Sequence, residues 1–303
     1  MRIAITGSTG LIGTALVRSL EADGHRVTRF VRRAPRSEGE AEWDPRRQWV
    51  DARGLAGCEA VVHLAGAGVG DHRWTEAYKK EIRDSRVLGT AAVAEAVASL
   101  DTPPRVLVSA SAIGVYGDAG DRALDEDSPP GRGFLAGVCQ EWEEAAAPAA
   151  EAGVRTVLTR TGLVVSRDGG AWGRLFPLFR LGLGGRLGDG RQYWSFIALQ
   201  DHIAALRHLL DTPGLSGPVN LTAPHPVTNR EVTRTMGRVL RRPVLLPAPA
   251  PALRLALGEF ASEVLASQRV LPRRLLDSGF RFAFPDAESA VRAALAPDGR
   301  AST

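Results

Sequence analysis

The chain has 303 residues, of which 44% are hydrophobic, and its formal net charge at pH 7 is +4. This length allows one large domain or a main domain with a smaller lobe. The basic side chains are scattered, which argues against a nucleic-acid or membrane partner, and the distant cysteines, Cys58 and Cys139, argue against a disulfide framework or a zinc site.

Neither a targeting segment nor a metal site is predicted. Arg2 leads at once into an apolar strand pattern and a glycine loop, which is unlike a signal peptide. No apolar run approaches the ~20 residues that span a bilayer. The six histidines form no metal-binding motif with cysteine or carboxylate side chains. We therefore expect a cytoplasmic protein without a bound metal.

Short β-branched runs alternate with alanine-rich helical patterns through the first half of the chain. In chain order they are RIAIT, the helical LIGTALVRSLEADG, HRVTRFV, EAVVHLAG, a helix near 75–99, and RVLVSAS. A helix near 134–152 then leads into VRTVLTR, a sixth strand, and a helix near 199–211 precedes the short strand GPVNLT. This alternation predicts an α/β fold with a Rossmann-type, doubly wound parallel sheet.

The pattern changes after about residue 165, where a glycine-rich segment, GLGGRLGDGR, is followed later by proline-punctuated helices. We predict a nucleotide-binding domain formed by residues 1–165 and about 196–222. A smaller, mostly helical, substrate-binding lobe would comprise about 166–195 and 223–303. This lobe is expected to cover whatever the sheet binds.

A glycine loop, GSTGLIG, lies between the first predicted strand and the first predicted helix. Its glycines let the backbone approach a pyrophosphate, and the helix N-terminus supplies free N–H groups. An ordinary strand-to-helix turn is the alternative, but the position at the start of an alternating α/β chain favours dinucleotide binding. The predicted cofactor contacts are Gly7, Ser8, Thr9, Gly10, Leu11, Ile12 and Gly13, together with Leu64, Ala65 and Gly66 after a later strand.

The end of the second strand selects between the two nicotinamide dinucleotides. An acidic residue there binds the ribose 2′-hydroxyl of NAD(H), whereas an arginine accepts the 2′-phosphate of NADP(H). The strand ends in Phe30-Val31-Arg32-Arg33 and carries no carboxylate. We therefore predict NADP(H) rather than NAD(H), with Arg32 as the contact. A solvated arginine pair is the alternative.

Several motifs resemble those of the short-chain dehydrogenase/reductase superfamily, in its extended branch of nucleotide-sugar epimerases and dehydratases. They are TGSTGLIG, HLAG, SRVLGTAAVAEA and SASAIGVYG. More narrowly, RWTEAYKKEIRDSRVLGT, RTGLVVSRDGG, LGLGGRLGDGRQYWSFIALQDHI and PRRLLDSGF resemble an atypical, epimerase-like subfamily. The resemblance covers nearly the whole chain.

The resemblance implies a Ser, Tyr and Lys active site, the last two spaced as YxxxK on one helix, with the lysine holding the nicotinamide ribose. No YxxxK occurs in this chain. Alignment on the usual helix puts Leu135 near the tyrosine position and Cys139 near the lysine position. Ser111 and Tyr116 are therefore the predicted catalytic residues, the alternative being a structural serine and a partly buried tyrosine.

Two segments could contact a substrate. Arg191 and Gln192 lie in GDGRQYWSFI, which resembles the segment that lines the substrate pocket in extended relatives, and both can bind phosphate, carboxylate or sugar hydroxyls. Arg73 and Trp74 lie in a second loop that could close over an anionic or planar ligand. A surface hairpin and a plain loop before a helix are the respective alternatives.

The sequence thus predicts an NADP(H)-binding oxidoreductase or epimerase-like enzyme with a non-standard active site. Its substrate would be small and polar, with nucleotide sugars among the candidates. The alternative is a non-catalytic NADP(H)-binding protein that acts through partners as a structural or redox-sensing component. A homodimer is left open.

Overall fold

The alternating first half of the chain forms a mostly parallel sheet with helices on both faces, as predicted. The computed structural model describes residues 1–296. The strands are β1 (Arg2–Thr6), β2 (Arg26–Val31), β3 (Glu40–Asp44), β4 (Trp49–Val50), β5 (Ala60–His63), β6 (Val106–Ala112), β7 (Ala123–Leu124), β8 (Arg155–Thr161), β9 (Leu163–Val165), β10 (Tyr193–Trp194), β11 (Phe196–Ala198), β12 (Gly217–Leu221), β13 (Val227–Thr228) and β14 (Arg269–Val270).

The helices are α1 (Leu11–Ala22), α2 (Ala52–Leu55), α3 (Glu76–Ala98), α4 (Phe134–Glu144), α5 (Ala147–Glu151), α6 (Gly170–Arg180), α7 (Leu199–Asp211), α8 (Asn229–Leu240), α9 (Ala250–Leu257), α10 (Ala261–Leu265), α11 (Arg273–Asp277) and α12 (Ala287–Leu295). Short 3-10 turns cover Pro45–Arg47, Ile113–Tyr116 and Gly258–Phe260.

Eight strands form the main sheet in the order β12-β8-β6-β5-β1-β2-β3-β4. Within this sheet, as formed by the described residues, β3 and β4 are the only antiparallel neighbours. The chain passes from β1 to β2 on one side and later crosses to β5 on the other side of β1. Because doubly wound sheets bind ligands where the strand order reverses, the carboxyl ends of β1 and β5 mark the expected site.

Each face of the sheet has its own hydrophobic core, because successive strand residues point to opposite faces. On one face, Ile3 and Ile5 of β1 pack with Leu16 of α1 and Leu206 of α7. On the other face, Ala4 belongs to a cluster with side chains of β2, β3, α3 and α5. The sheet is therefore covered on both sides by apolar packing.

The residues beyond the sheet build a separate, mostly helical core. Trp172 and Phe176 of α6 pack with Met236 of α8 and Val291 of α12. Two short strand pairs, β10 with β13 and β9 with β11, lie in the same part of the chain. The chain also returns to the sheet region through β14, which pairs with β7.

One local prediction needs correction, and one element was missed. The helix expected near 134–152 is divided into α4 and α5, and Pro148 lies in the first turn of α5, where a missing N–H does no harm. The β3–β4 hairpin was not predicted. Its 3-10 connection is capped by Asp44, whose carboxylate accepts hydrogen bonds from the N–H groups of Arg46 and Arg47.

Two buried histidines should make the folded protein less stable in mild acid. His63 lies 2.7 Å from the Thr6 hydroxyl, and His202 of α7 lies 3.1 Å from the Thr161 hydroxyl. Burial lowers the pKa of each ring to about 4. Because these folded-state values lie below the ordinary value of about 6.5, stability is full above that pH and falls as the pH drops toward 4.

We expect the unfolding free energy to fall by about 1.4 kcal/mol per pH unit for each histidine between pH 6.5 and 4. Urea unfolding across this range measures the slope. His202→Gln should flatten it, whereas His225→Gln, which replaces an exposed ring, should not. Equal slopes for the wild type and His202→Gln would contradict the assignment.

Candidate functional site

Two glycines of the loop allow the ends of β1 and β5 to approach closely. Gly7 has a φ of +68°, and a Cβ there would lie 2.8 Å from the Leu64 carbonyl carbon and 2.9 Å from the Ala65 nitrogen. A Cβ on Gly13 would overlap the Gly7 carbonyl group and lie 2.8 Å from the Ser8 Cα. The structure thus brings the two predicted cofactor segments side by side.

The start of α1 is open to an anion. Gly10 precedes the helix, no side chain caps its first N–H groups, and its first turn has no acidic residue. A Cβ on Gly10 would meet only the Gly7 oxygen, at 3.4 Å, so this glycine is not enclosed by the fold. Free N–H groups and the helix dipole together favour negative charge at this point.

A cleft of about 870 Å³ lies next to the end of β2. Arg32, Trp43 and Ser85 are among its lining residues, and the Trp43 side chain is otherwise buried in the sheet core. The two adjacent arginines differ in their partners. Arg33 binds both carboxylate oxygens of Glu40, at 2.8 and 2.6 Å, and lowers the pKa of that carboxyl to about 2. Arg32 is exposed and has no hydrogen-bond or ion-pair partner among residues 1–296.

The positions that the resemblance assigns to tyrosine and lysine hold side chains without a useful acid or base. A Cβ on Gly114 would lie 3.6 Å from the Leu135 Cβ and 3.7 Å from the Cys139 Sγ, so α4 packs closely on the turn after β6. Cys139 is buried, and this burial raises the pKa of its thiol to about 12. At neutral pH neither position can exchange a proton readily.

Both predicted catalytic hydroxyls belong to one buried polar network. Ser111 donates to Glu143 at 2.6 Å, and Arg160 donates to both oxygens of that carboxylate at 2.8 Å. Arg160 also donates to the Tyr116 hydroxyl at 3.0 Å. Tyr116 in turn donates to Asn220 at 2.8 Å, and burial is the main cause that raises the pKa of this phenol.

Sequence reasoning missed Glu143, Arg160 and Asn220. Ser111, Arg160 and Asn220 are aligned across β6, β8 and β12, so their side chains share one face of the sheet. Glu143 lies one helical turn after Cys139 and reaches the same place from α4. The available signal was a charged or amide side chain within two predicted strands, Arg160 in VRTVLTR and Asn220 in GPVNLT.

The predicted substrate loop with Arg73 and Trp74 packs against α4 and the 3-10 turn Gly258–Phe260. Trp74 is buried and donates to the Val69 carbonyl at 2.7 Å. Its ring meets Phe134 edge-on and Phe260 at a tilt, with ring centroids 5.0 and 5.4 Å away. Arg73 is exposed beside Gly258 of the lobe. This loop therefore lies where the sheet domain meets the C-terminal residues.

The side chains of Arg191 and Gln192, the other predicted substrate residues, point in opposite directions. The Arg191 side chain is 83% exposed, whereas Gln192 is buried and donates to the Leu187 carbonyl at 3.0 Å. In the part of the chain that the structure describes, no hydrogen bond or ion pair joins either residue to Arg73 or Trp74. The Arg191 guanidinium, which forms a 4.0 Å ion pair with Asp189, faces solvent and can meet an approaching ligand.

Among residues 1–296, no group of three or more His, Cys, Asp or Glu side chains is arranged to hold a metal ion. Over the same range, no helix combines the length and the apolar character needed to cross a membrane.

Comparison with known proteins identifies relatives along most of the chain. Residues 3–221 match the model of the NAD dependent epimerase/dehydratase family, and residues 248–294 match a domain of unknown function, DUF1731. An epimerase family protein of Mycobacterium bovis is 48% identical over 281 residues, which are 92% of this chain and 93% of that protein.

Solved structures agree with the family match. Human epimerase family protein SDR39U1 (isoform 2), crystallised with NADPH, has a TM-score of 0.90 at 35% identity and covers 96% of this chain and 98% of its own. The nucleoside-diphosphate sugar epimerase from Corynebacterium glutamicum has a TM-score of 0.80 at 38% identity, over 96% of this chain and 57% of its own. The fold class predicted from the sequence is confirmed.

Substitution of two loop glycines should affect the stability of the fold to different degrees. Gly13→Ala forces a methyl group into the Gly7 backbone, and we expect a loss of about 1–3 kcal/mol in the free energy of unfolding. Gly10→Ala should cost less than about 1 kcal/mol, because its Cβ would meet only the Gly7 oxygen, at 3.4 Å. Chemical denaturation of both variants checks the order, and a reversed order would contradict the packing role of Gly13.

The Glu143–Arg160 pair should contribute strongly to stability. Its side chains are only 13% and 10% exposed, and removal of one partner leaves a buried charge, so Glu143→Gln should cost about 3–5 kcal/mol. The matched control is Glu21→Gln, whose partner Arg29 lies 2.7 Å away at the surface. This control should cost at most about 1 kcal/mol in urea unfolding. Equal losses would show that burial of the pair has no energetic consequence.

Proposed function

The chain belongs to the NAD-dependent epimerase/dehydratase family, and from that premise we propose that it binds NADP(H) at the switch point of its sheet. We further propose that it acts as an oxidoreductase or epimerase-like enzyme on a small polar substrate. The observation that carries the cofactor proposal is Arg32, a free arginine at the end of β2 beside a large cleft. The NADPH named with the human relative supports the same choice.

The residues present fit this cofactor. The open start of α1 suits a pyrophosphate, with Gly7 and Gly10 permitting close backbone approach. Arg32 would hold the 2′-phosphate, for which a free guanidinium is the best protein donor. Leu64, Ala65 and Gly66 would lie along the middle of the dinucleotide, while Ser8, Thr9, Leu11, Ile12 and Gly13 complete the loop. When bound, NADP(H) supplies hydride transfer at its nicotinamide ring.

We assign different roles to the two candidate catalytic hydroxyls. Ser111 is hydrogen-bonded to Glu143, so its hydroxyl can pass a proton to or from that carboxylate while it orients a substrate oxygen. Tyr116 is enclosed between Arg160 and Asn220. Its proposed role is to position Arg160, and through it Glu143, rather than to contact substrate.

The substrate side would be formed by the lobe of residues 166–195 and 223–303, of which 297–303 lie outside the described residues. The family model ends at Leu221, the last residue of β12, which supports the boundary near residue 222, while residues 166–195 fall within the matched range. Arg191 would offer its planar donor fork to an anionic substrate group, with Gln192 supporting the same turn from within. Arg73 and Trp74 would form the opposite wall, where the sheet domain meets the lobe.

Nucleotide sugars are the substrate class that we favour. They combine phosphate and hydroxyl groups, which arginine and glutamine side chains bind well. The similar structure from Corynebacterium glutamicum, a nucleoside-diphosphate sugar epimerase, supports the same class.

A non-catalytic NADP(H)-binding protein is the second candidate, because Leu135 and Cys139 replace the usual proton-transfer pair. The two functions differ in one measurement. A change in the absorbance band of the reduced nicotinamide, on addition of nucleotide sugars or carbonyl compounds, supports an enzyme. Tight NADPH binding with no such change over the whole panel supports the binding protein.

Arg32→Ala should weaken NADPH binding by about 10- to 100-fold, because charged hydrogen bonds to the 2′-phosphate are lost. NADH, which has no 2′-phosphate, should bind equally well to the variant and the wild type. Fluorescence titration of both cofactors measures the effect. The control is Arg33→Ala, which removes the neighbouring guanidinium but one that is already paired with Glu40.

Two results would contradict the cofactor proposal. A wild-type protein that does not bind NADPH would remove the cofactor itself. An equal loss of NADPH and NADH affinity in Arg32→Ala would remove the role of the 2′-phosphate.

A further inference from the structure

Arg86 of α3 is a half-buried cation without an acidic partner. Its Nη1 donates to the Ile82 carbonyl of its own helix at 3.0 Å. No carboxylate pairs with it among residues 1–296. Arg83, one turn earlier on the same helix, is paired with both Glu141 and Asp84. Because a partly desolvated charge is costly unless it is paired, the isolation of Arg86 requires an explanation.

The guanidinium lies between the loop after β5 and helix α4. A Cβ built on Gly66 would lie 3.5 Å from the Arg86 Cζ and 3.6 Å from its Nη1, so the group lies over the Gly66 backbone. On its other side, the Cζ is 5.0 Å from the centre of the Trp142 ring. Trp142 follows Cys139 by three residues on α4, and the positive charge of Arg86 acts on the Cys139 thiol.

This position corresponds to the nicotinamide end of the proposed cofactor site. The sheet order runs from β2 through β1 and β5 to β6. Arg32 lies at the β2 end, while Arg86 faces α4, which packs on the turn after β6. A dinucleotide that follows this strand order from Arg32 would bring its second ribose toward Arg86.

We propose that Arg86 replaces the missing lysine and donates hydrogen bonds to the nicotinamide ribose hydroxyls of NADP(H). The inference rests on the proposed function, because it requires that the chain binds this cofactor. The two parallel N–H groups of a guanidinium match two neighbouring hydroxyl oxygens. Since arginine does not release a proton near neutral pH, Arg86 holds the cofactor and takes no part in proton transfer.

Three probes locate the contact by binding alone, with no need for turnover. They are NADPH, 2′-phospho-ADP-ribose, which lacks the nicotinamide base, and 2′-phospho-ADP, which also lacks the second ribose. Arg86→Ala should weaken the first two by about 10- to 100-fold and leave the third unchanged. Arg32→Ala should weaken all three, since each carries the 2′-phosphate.

Control variants separate this role from a structural one. Arg83→Ala should bind all three probes like the wild type, and Arg86→Lys should retain more NADPH affinity than Arg86→Ala because it keeps a charge. Arg86→Gln keeps part of the stem that packs on Trp142 and serves if Arg86→Ala does not fold. Wild-type affinity for NADPH in folded Arg86→Ala or Arg86→Gln would overturn the inference. An equal loss for 2′-phospho-ADP would also overturn it, by placing the contact on the pyrophosphate. Failure of the wild type to bind NADPH would instead remove the proposed function.

Discussion

The buried guanidinium of Arg160 is the point on which the site region depends. It pairs with Glu143 of α4, supports the Tyr116 hydroxyl, and also donates to the Glu126 carbonyl at 3.4 Å. A buried charge of this kind is tolerated only when nearly all its hydrogen bonds are made. Because its partners come from a helix, a turn and a loop, their relative positions are restrained together.

The same network connects the sheet to the C-terminal residues. The Asn220 side chain donates to the Leu271 carbonyl at 3.0 Å, and the Glu126 carboxylate accepts from the backbone N–H groups of Asn220 and Arg274. Burial raises the pKa of Glu126, while these backbone donors oppose the shift. The region after β12 is therefore held against the strand ends by directional bonds as well as by apolar packing.

Much of the fold could be predicted because its signals are local. The apolar strands β1, β5 and β6, the glycine loop and the long helix α3 each carry their pattern within a few consecutive residues. The β3–β4 hairpin could not be predicted in this way. Its strands, EAEWD and WV, are short and include acidic and aromatic residues, so their strand structure depends on pairing, β3 with β2 and β4 with β3.

The site was predictable only in part, for a different physical reason. The glycines and Arg32 lie in short local motifs, so the sequence alone was enough to propose a function for them. The pairing of Ser111 with Glu143, and of Tyr116 with Asn220, depends on sheet register and helix packing between distant segments. Likewise, the sequence does not show that Gln192 is buried against Leu187 while Arg191 faces solvent, because this depends on how the turn packs.

The substitution of arginine for lysine has a chemical consequence beyond cofactor binding. A lysine beside a tyrosine lowers the pKa of the phenol and can itself exchange protons, whereas a guanidinium remains charged throughout the working pH range. With a neutral Cys139 thiol nearby, an active site built around Arg86 would keep a fixed positive charge at the nicotinamide. Such a charge favours electron-rich states of a substrate oxygen, and the proposed route for a proton to that oxygen is Ser111, which is hydrogen-bonded to Glu143.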